Sequence, residues 1–312
     1  MLPQKEPPAR LDLHGDDELA IGHSRLASRI LKHLGRTGDH SSEVPGLSFY
    51  RRDSYCEPAC VFYEPSLSLV IQGRKRVALG TETIEYDAGR FMLTSVELPT
   101  VSQVLDGSEA HPFLSMMLKL DLTTVREVGS EIDLHGIETG NAAAGMNVGL
   151  VTAKLMDAIN RLAALEETPR DIPILGRLVF REIVYCVLVG PAGAQLRQIA
   201  TQGSRCSRVG EVISWLREHY AEPIRIEALA DMAGMGVSTL HHHFKAITRM
   251  SPLQYQKQIR LHEARHILLS GSLDAATVAL RVGYESVTQF SREYKRLFGN
   301  PPIRDISRLQ RS

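Results

Sequence analysis

Two stretches near the C-terminus decide how this chain folds: LADMAGMGVSTLHHHFK, residues 229–245, and VALRVGYESVTQFSREYKRLFGNPP, residues 278–302. In each, a short run with apolar residues at helical spacing ends at a glycine, and a second helical run follows after a brief turn. The glycines are Gly234 and Gly283, which suit the left-handed backbone that ends many helices. Helix, glycine turn and second helix make up a helix-turn-helix, so the sequence predicts two copies of that motif.

The repetition makes the motif specific, because single helical hairpins are common and a matched pair is not. Gly236 and Ser286 occupy equivalent positions and are expected to cap the second helix of each copy. Between the copies, residues 253–271 have the apolar spacing of a connecting helix. An α-helix fits the major groove of DNA, where each base pair presents its own pattern of donors and acceptors. Two such helices on one module could enter successive grooves, about 34 Å apart.

Composition limits the class of protein. A chain of 312 residues suggests two domains, and 43% hydrophobic with 23% charged residues is ordinary for a globular protein. The apolar runs are far shorter than a membrane helix, and the N-terminus lacks the apolar core of a secretory signal. Four cysteines do not make a disulfide framework. We therefore expect a cytoplasmic protein without a membrane partner, and we exclude secreted, collagenous and membrane classes.

Charge is divided unevenly along the chain. The whole sequence balances 36 basic against 36 acidic residues, whereas residues 203–312 contain 16 Lys and Arg against 10 Asp and Glu. A basic module beside an acidic one points to nucleic acid. Chance variation in surface charge explains the same numbers equally well.

The pattern changes twice before this module. A helix is expected after Asp16 and Asp17, and from Leu47 to Leu120 short runs of alternating polarity with glycine turns are typical of an antiparallel barrel or sandwich. Helices follow, and one has a heptad-like apolar stripe that fits either packing on its own barrel or a subunit interface. The stripe comprises Val148, Val151, Leu155, Ala158, Leu162 and Leu165.

We divide the chain into four parts. Residues 1–15 are expected to be a loose arm, 16–190 a sensor and dimerisation domain, 191–207 a linker, and 208–312 the double helix-turn-helix domain. The linker is placed by its small and polar residues, although part of it could still form a turn or two of helix.

Residues 208–302 resemble the DNA-binding domain of the AraC/XylS family of bacterial transcription regulators. The resemblance is carried by the two opening stretches and by SPLQYQKQIRLHEARHILL, residues 251–269. The segment from Gly283 to Pro301 is the part most recognisable in the family. Gly236 departs from the family pattern, which usually has a capping serine there. Glycine is a tolerated cap at a cost of a few tenths of a kcal/mol, so the departure changes little.

The resemblance implies which side chains face DNA. On the first recognition helix they are Ser238, His241 and His242, and on the second Thr288, Gln289 and Arg292. Arg292 would pair with guanine and Gln289 with adenine. Further basic side chains would touch phosphate or belong to a solvated face, and both interpretations stay open. These are Lys245, Arg249, Lys295 and Arg296.

No residue pattern points to catalysis, a metal or a cofactor. His241, His242 and His243 are adjacent on a helix, so their side chains point about 100° apart and cannot converge on one ion. A metal-binding barrel needs clustered histidines, and between Leu47 and Leu120 the sequence has only His111. We therefore expect no enzyme activity. An enzyme with a structural helical tail and a protein-binding adaptor remain rivals, the second disfavoured by the basic charge.

Residues from about 20 to 175 resemble the sensor domain of one subgroup of the same family, on the stretches 63–80, 85–104 and 111–121. The resemblance implies a cupin-like barrel followed by helices that dimerise. The predicted fold class is therefore α+β: a small antiparallel cupin-like β-barrel with helices, then an all-α module with two helix-turn-helix motifs.

Two features of the N-terminal domain are candidates for sensing a signal. Apolar residues of the barrel could hold a small molecule or be plain core: Leu69, Ile71, Phe91, Leu93, Met116 and Leu118. Cys56 and Cys60 could be a thiol sensor, with two ordinary thiols favoured instead.

These observations together predict a sequence-specific DNA-binding transcription regulator controlled by a small-molecule or redox signal at its N-terminal domain. Activation is the commoner mode in the resembling family. The expected partners are double-stranded promoter DNA, RNA polymerase, an unidentified small-molecule effector and a second copy of the chain.

Overall fold

A computed structural model of the chain describes residues 13–132, 144–201, 203–271 and 273–310. The predicted arm therefore lies mostly outside the described residues, and the first helix begins at Leu13 rather than after Asp16 and Asp17. None of the helices in these ranges is long and apolar enough to cross a membrane.

The strands belong to the N-terminal half. They are β1 (Gly38–Ser41), β2 (Leu47–Arg52), β3 (Ala59–Tyr63), β4 (Ser66–Gln72), β5 (Arg74–Leu79), β6 (Glu82–Asp87), β7 (Arg90–Thr94), β8 (Leu98–Val104), β9 (Phe113–Lys119) and β10 (Met146–Leu150).

The helices flank the strands and then form the C-terminal half. They are α1 (Leu13–His33), α2 (Leu122–Glu131), α3 (Ala153–Ala164), α4 (Arg177–Val189), α5 (Ala194–Ala200), α6 (Arg205–Glu218), α7 (Ile226–Met232), α8 (Val237–Thr248), α9 (Pro252–Leu269), α10 (Ala275–Arg281), α11 (Val287–Phe298) and α12 (Pro302–Leu309). Short turns of tighter or wider helix lie at Leu165–Glu167, Pro169–Asp171, Ile172–Gly176 and Pro191–Gly193.

The strands form two antiparallel sheets. One has the order β1-β2-β9-β4-β7-β10 and the other β3-β8-β5-β6. The central strand β4 pairs with β9 on one side and β7 on the other, so that Leu67 lies opposite both Leu118 and Leu93. With the helices that follow, this arrangement confirms the predicted α+β class.

A first core lies between the six-stranded sheet and the helices α1, α3 and α4. It includes Leu26 of α1, Leu67 and Leu69 of β4, and Leu155 and Ile183 of the later helices, all of them fully buried. Burial of this apolar surface is the main force that holds the helices on the sheet.

The heptad-like stripe belongs to this first core. Leu155, Ala158 and Leu162 are buried within the chain itself. Val148 lies in β10, not in the helix, because α3 begins only at Ala153. The Thr152 side chain fixes that start by accepting a hydrogen bond of 3.2 Å from the Leu155 backbone N–H.

A second core joins the two halves of the molecule. Val77 and Leu98 of the four-stranded sheet belong to the same buried cluster as Val212 of α6, Phe244 of α8 and Tyr255 of α9. A third core lies among α9, α10 and α11 with Phe290 and Tyr294 at its centre. The C-terminal module therefore packs on the barrel as well as on itself.

The stretch 191–207 contains a short turn and α5. Leu196 of α5 is fully buried in the first core, and the Arg197 guanidinium donates to the carbonyl oxygens of Leu188 and Gly190. The next helix, α6, begins at Arg205. The domain boundaries that we drew from composition stay a prediction.

Candidate nucleic-acid interface

The first helix-turn-helix unit consists of α7 and α8. Gly234 has a φ of 56° and ends the first helix, and Gly236 precedes α8 in an extended conformation without a side chain to cap it. Leu240 and Phe244 point inward and are fully buried. The inner face of α8 is therefore fixed by packing, which leaves its outer face free for another role.

The second unit consists of α10 and α11 and is more tightly built. Gly283 has a φ of 88°, and a Cβ atom at this position would lie 2.2 Å from the Ala221 carbonyl oxygen. Ser286 caps α11 through a 3.3 Å hydrogen bond from the Gln289 backbone N–H to its Oγ. Phe290 and Tyr294 are fully buried. Both cap positions thus lie where the sequence predicts them.

The structure places the predicted DNA-facing side chains on the outer faces of α8 and α11. His241 is half-buried, and the rest are exposed: Ser238, His242, Lys245, Thr288, Gln289, Arg292 and Arg296. A shallow groove on α11 brings Thr288, Arg292 and Lys295 together. Contact with DNA itself stays a prediction for all of these residues.

The basic residues on these faces have few partners. Among the described residues, no ion pair engages Lys245, Arg292 or Arg296. Gln289 differs, because its amide donates to Glu293 Oε1 at 3.2 Å, where Lys257 also binds at 2.9 Å. An adenine that pairs with Gln289 would have to compete with this carboxylate.

Glu293 is held in its charged form. Burial acts to raise its pKa, but hydrogen bonds from Lys257, Gln289 and Tyr284 outweigh burial and lower it. The Tyr284 hydroxyl donates to Glu293 Oε2 at 2.9 Å, and burial together with this carboxylate raises the pKa of the tyrosine. The hydrogen bond between Tyr284 and Glu293 therefore links α11 to the turn that precedes it.

Arg260 of α9 holds the turn between α10 and α11 in place, a role that the sequence analysis did not predict. Its guanidinium donates to the carbonyl oxygens of Tyr220 and Gly283 at 2.7 Å each, and also to those of Ala221 and Glu222. Burial lowers its pKa. The closely packed Gly283 therefore lies over a cation that four carbonyls hold in place.

A second missed network anchors the end of the module. Asp305 of α12 is completely buried, and it accepts from the Tyr294 hydroxyl at 2.9 Å and pairs with Arg265 Nε at 2.9 Å. The Arg265 guanidinium also lies 4.4 Å from the centre of the Phe298 ring. Arg308 lies 3.8 Å from the same carboxylate, and partners of this kind offset the cost of burying it.

Several side chains join the module to the barrel. Arg217 of α6 pairs with Glu97 at 3.1 Å and with Glu263 at 2.8 Å, and its guanidinium lies 5.0 Å from the centre of the Phe62 ring. The Tyr255 hydroxyl donates to the Glu97 backbone carbonyl at 2.9 Å. Burial raises the pKa of Glu97 even though Arg217 acts against it.

His262 of α9 lies in the same contact, between the rings of Phe62 and Phe298 at 5.4 Å from each. Burial is the main cause that lowers its pKa to about 4, and Arg265 and Arg217 add to the effect. Its imidazole is therefore neutral at pH 7.

Arg249 also takes part in this contact. We expected it to touch phosphate or solvent, but its Nε lies 3.0 Å from Glu82 of the barrel, and the residue ends α8 in the left-handed conformation. Its position beside Gly80 explains the difference, since the barrel covers this end of the helix.

The residues that we placed in an effector pocket are core residues in the structure. All six pack in the first core, on the side of the sheet that faces the helices: Leu69, Ile71, Phe91, Leu93, Met116 and Leu118. That they line a pocket stays a prediction. Sequence alternation separates the two faces of a strand but does not say which face lines the barrel interior.

A cavity of about 360 Å³ is lined by polar, aromatic and aliphatic residues from both sheets, and of the six predicted residues Met116 lies on its wall. Its walls include Tyr50, Arg52, Tyr63, Lys75 and Tyr86. Lys75 Nζ lies 5.3 Å from the centre of the Tyr63 ring. Arg52 pairs with Asp39 at 2.6 Å, whereas no carboxylate partner for Lys75 occurs among the described residues.

The two candidate sensor thiols lie near this cavity and near the module. Both are free cysteines and half-buried. Burial raises the pKa of the Cys60 thiol, whose Sγ donates to the Leu297 carbonyl oxygen at 3.3 Å. A raised pKa disfavours the thiolate that reacts with oxidants. A sensing role for Cys56 and Cys60 stays a prediction.

Comparison with known proteins assigns the family. Residues 43–195 match the model of the AraC-type transcriptional regulator N-terminus, and residues 229–306 match that of a helix-turn-helix domain. The chain belongs to the AraC/XylS family of transcription regulators. The resemblance seen in the sequence is thereby confirmed, and the family is one of regulators rather than enzymes, as expected.

Curated relatives are similar over part of the chain. The transcriptional activator RhaS of Escherichia coli O1:K1 is 28% identical over 159 residues, which make up 50% of this chain and 55% of RhaS. RhaS of Salmonella schwarzengrund is 29% identical over 157 residues, with the same shares. The chain thus spans about half the length of the curated relatives it matches.

A solved structure is similar over most of the fold. ToxT from Vibrio cholerae with a bound unsaturated fatty acid aligns with a TM-score of 0.56 at 11% identity, covering 83% of this chain and 94% of ToxT. At this level of identity the likeness concerns the fold alone. It supports the order of a barrel, flanking helices and a C-terminal helical module.

Proposed function

We propose that this chain is a sequence-specific DNA-binding transcription regulator that reads promoter DNA with α8 and α11. The main support is that the two helix-turn-helix units have fully buried inner faces and exposed polar outer faces, and that the cations on these faces, Arg292 above all, form no ion pair with any residue that the structure describes. A protein-binding adaptor would not need two exposed arginines, Arg292 and Arg296, aligned on one helix. The RhaS relatives are activators by name, and we extend activation to this chain as part of the proposal.

Fluorescence anisotropy with the chain's own upstream DNA and a scrambled duplex, across a salt series, tests the proposal. Affinity should favour the upstream duplex and fall steeply with salt, because phosphate contacts release counterions. Arg292→Ala should cost about 1–3 kcal/mol and weaken the preference between the two duplexes. Arg170→Ala is the matched control, since it removes the same charge from a side chain that is 88% exposed in the N-terminal half.

Two results would count against DNA reading. Equal affinity for both duplexes would exclude sequence recognition, and unchanged binding by Arg292→Ala would exclude α11 as the reading helix. Assembly as a homodimer and recruitment of RNA polymerase belong to the same proposal. Sedimentation of the protein with and without DNA tests the first, and transcription with purified polymerase tests the second.

The signal that this regulator receives is, we propose, a small molecule with an apolar body and one negatively charged end. The cavity between the sheets supports this class, because aromatic walls surround a lysine that lacks a carboxylate partner among the described residues. A volume of about 360 Å³ lies in the range of ligand pockets. A redox signal is less well supported, since the pKa of the Cys60 thiol is raised.

Strand β3 connects the cavity to the DNA-binding module. Tyr63 and Phe62 both line the cavity, and Phe62 also contacts Arg217, Tyr255 and His262 of the module. A ligand that repositions β3 would therefore change how the module packs on the barrel. In this mechanism the ligand shifts the balance between two arrangements of the module, in proportion to its difference in affinity for them.

A further inference from the structure

Two histidines and one glutamate meet at the edge of the N-terminal domain, and none of them is among the residues that line the cavity. His33 is the last residue of α1, His40 lies in β1, and Glu166 lies in the turn after α3. The Nε2 atoms of His33 and His40 lie 3.0 Å and 2.9 Å from different oxygens of the Glu166 carboxylate. All three ligating atoms lie within 4.8 Å of one another.

The Glu166 carboxylate is buried, and only one of its two oxygens has a regular hydrogen-bond partner. The Glu166 side chain is 5% exposed, and its Oε2 has no hydrogen-bond partner of acceptable geometry although His33 Nε2 is close to it. Oε1, by contrast, makes a regular contact with His40. An unpartnered buried carboxylate oxygen is costly unless a cation completes the site.

Ring stacking fixes the orientations of the two imidazoles. Their rings stack 4.6 Å apart, and the fully buried Phe49 stacks against both at 6.1 Å. The side chains of His33 and His40 are 25% and 32% exposed, so solvent reaches the cluster from one side. The cluster therefore combines fixed ring orientations with a route of entry.

Two imidazole nitrogens and one carboxylate oxygen are a donor set that zinc takes in sites with one open position. Zinc bonds of about 2.0–2.2 Å in a tetrahedron separate neighbouring ligand atoms by about 3.3 Å. With one Glu166 oxygen as ligand, the distance to the histidine nitrogen beside it, 2.9 or 3.0 Å, would have to widen by only a few tenths of an ångström, and the other separations among the three ligand atoms are at most 4.8 Å. We propose that His33, His40 and Glu166 bind a divalent first-row transition-metal ion, such as zinc, with water as a fourth ligand.

The ion would join three segments that are separate in sequence: the end of α1, the edge strand β1 and the turn after α3. From the sequence we expected no metal because we considered only the run from His241 to His243 and the histidines between Leu47 and Leu120. Glu166 lies 126 positions after His40, so local spacing gives no sign of the site. A hydrogen-bonded triad without metal is the rival explanation.

Calorimetric titration of the metal-free full chain with zinc chloride tests the proposal. The wild type should bind one equivalent that is absent in His33→Gln/His40→Gln. Glu166→Gln should bind at least about tenfold more weakly, since loss of even an outer partner of a zinc ligand costs 10–100-fold. Cobalt(II) in place of zinc should give visible absorption of a low-coordinate nitrogen–oxygen site without a thiolate charge-transfer band. If the double variant does not fold, the single variant His40→Gln, on an edge strand, is tested in its place.

The run His241-His242-His243 on α8 offers the matched control. Its replacement by three asparagines should leave the equivalent unchanged, because those side chains cannot converge on one ion. The proposal is overturned if the wild type binds no equivalent, or if folded His40→Gln binds as tightly as the wild type. Loss of the equivalent in the asparagine variant, or a thiolate band with cobalt, would assign the metal to other residues and would also overturn it.

Discussion

Replacing Gly283 by alanine should destabilise the C-terminal module much more than the same change at Gly234. Both glycines have left-handed backbones, with φ of 88° and 56°, so alanine costs about 1–2 kcal/mol at either position from conformation alone. Their surroundings differ. At Gly283 a Cβ would lie 2.2 Å from a backbone oxygen of Ala221, whereas at Gly234 it would meet only the flexible end of Arg208 at 3.2 Å.

The expected loss of stability in Gly283→Ala follows from the contact with the Ala221 carbonyl oxygen. A separation of 2.2 Å is more than 1 Å inside the optimum of about 3.5 Å, and neither the Ala221 carbonyl nor the Arg260 guanidinium beside it can move freely. Overpacking of this kind typically costs about 1–3 kcal/mol. We therefore expect a total of about 2–5 kcal/mol for Gly283→Ala and about 1–2 kcal/mol for Gly234→Ala.

Urea denaturation read by tryptophan fluorescence measures the difference. Trp215 is the single tryptophan of the chain and lies in α6, where its ring stacks on His219 at 4.4 Å. The denaturation midpoint of Gly283→Ala should fall well below that of Gly234→Ala with an unchanged slope. Equal midpoints for the two variants would refute the packing argument, and a lower slope would mean that the substitution alters the unfolded or native ensemble instead.

Three further predictions concern the contact between barrel and module and the cavity. The neutral His262 contributes stability that is complete above about pH 6.5 and is lost as the pH falls towards its folded pKa of about 4. Up to about 3 kcal/mol of the free energy of unfolding should therefore depend on pH in that window, and this dependence should be absent in His262→Gln. Phe62→Ala should cost about 1–3 kcal/mol, less than a fully buried phenylalanine, and speed amide hydrogen exchange in α9. Lys75→Ala should abolish the effect of small apolar carboxylates on DNA affinity, whereas Lys154→Ala, whose ammonium lies over a tyrosine outside the cavity, should keep it.

Each of these three predictions has an outcome that would contradict it. The same pH slope in wild type and His262→Gln would place the titration elsewhere, and unchanged exchange in α9 would show that Phe62 does not hold the module. An effect of the carboxylates that survives Lys75→Ala would move the effector site away from the cavity.

Local sequence was sufficient for the DNA-binding module. The left-handed glycines Gly234 and Gly283, the cap at Ser286 and the inward Leu240 and Phe290 are set by neighbours within a few residues. The outer faces then follow from helical geometry alone. These features were predictable because they need no knowledge of distant contacts.

The N-terminal domain shows the limit of such reasoning. Residues of β4 from Ser66 to Ile71 are buried on both faces, so the alternation of Leu67 and Leu69 with Ser68 marked a strand but could not say which face meets the helices. The cavity lining and the cluster of His33, His40 and Glu166 depend on segments far apart in the chain. Their assembly requires the tertiary fold.

The contact around Phe62 limits which ligands could control DNA binding. A ligand shifts an equilibrium only through a difference in affinity between its two states. A molecule that fills the cavity and leaves both Phe62 and Tyr63 in place would stabilise the barrel without changing the contact of Phe62 with Arg217 and His262. An effective ligand must therefore move the Phe62 ring, which lines the cavity itself, or the neighbouring Tyr63 ring, which lies beside Lys75. A charged end that binds Lys75 competes directly with the Tyr63 ring, so an anionic group gives the ligand one route, along β3, to the DNA-binding module.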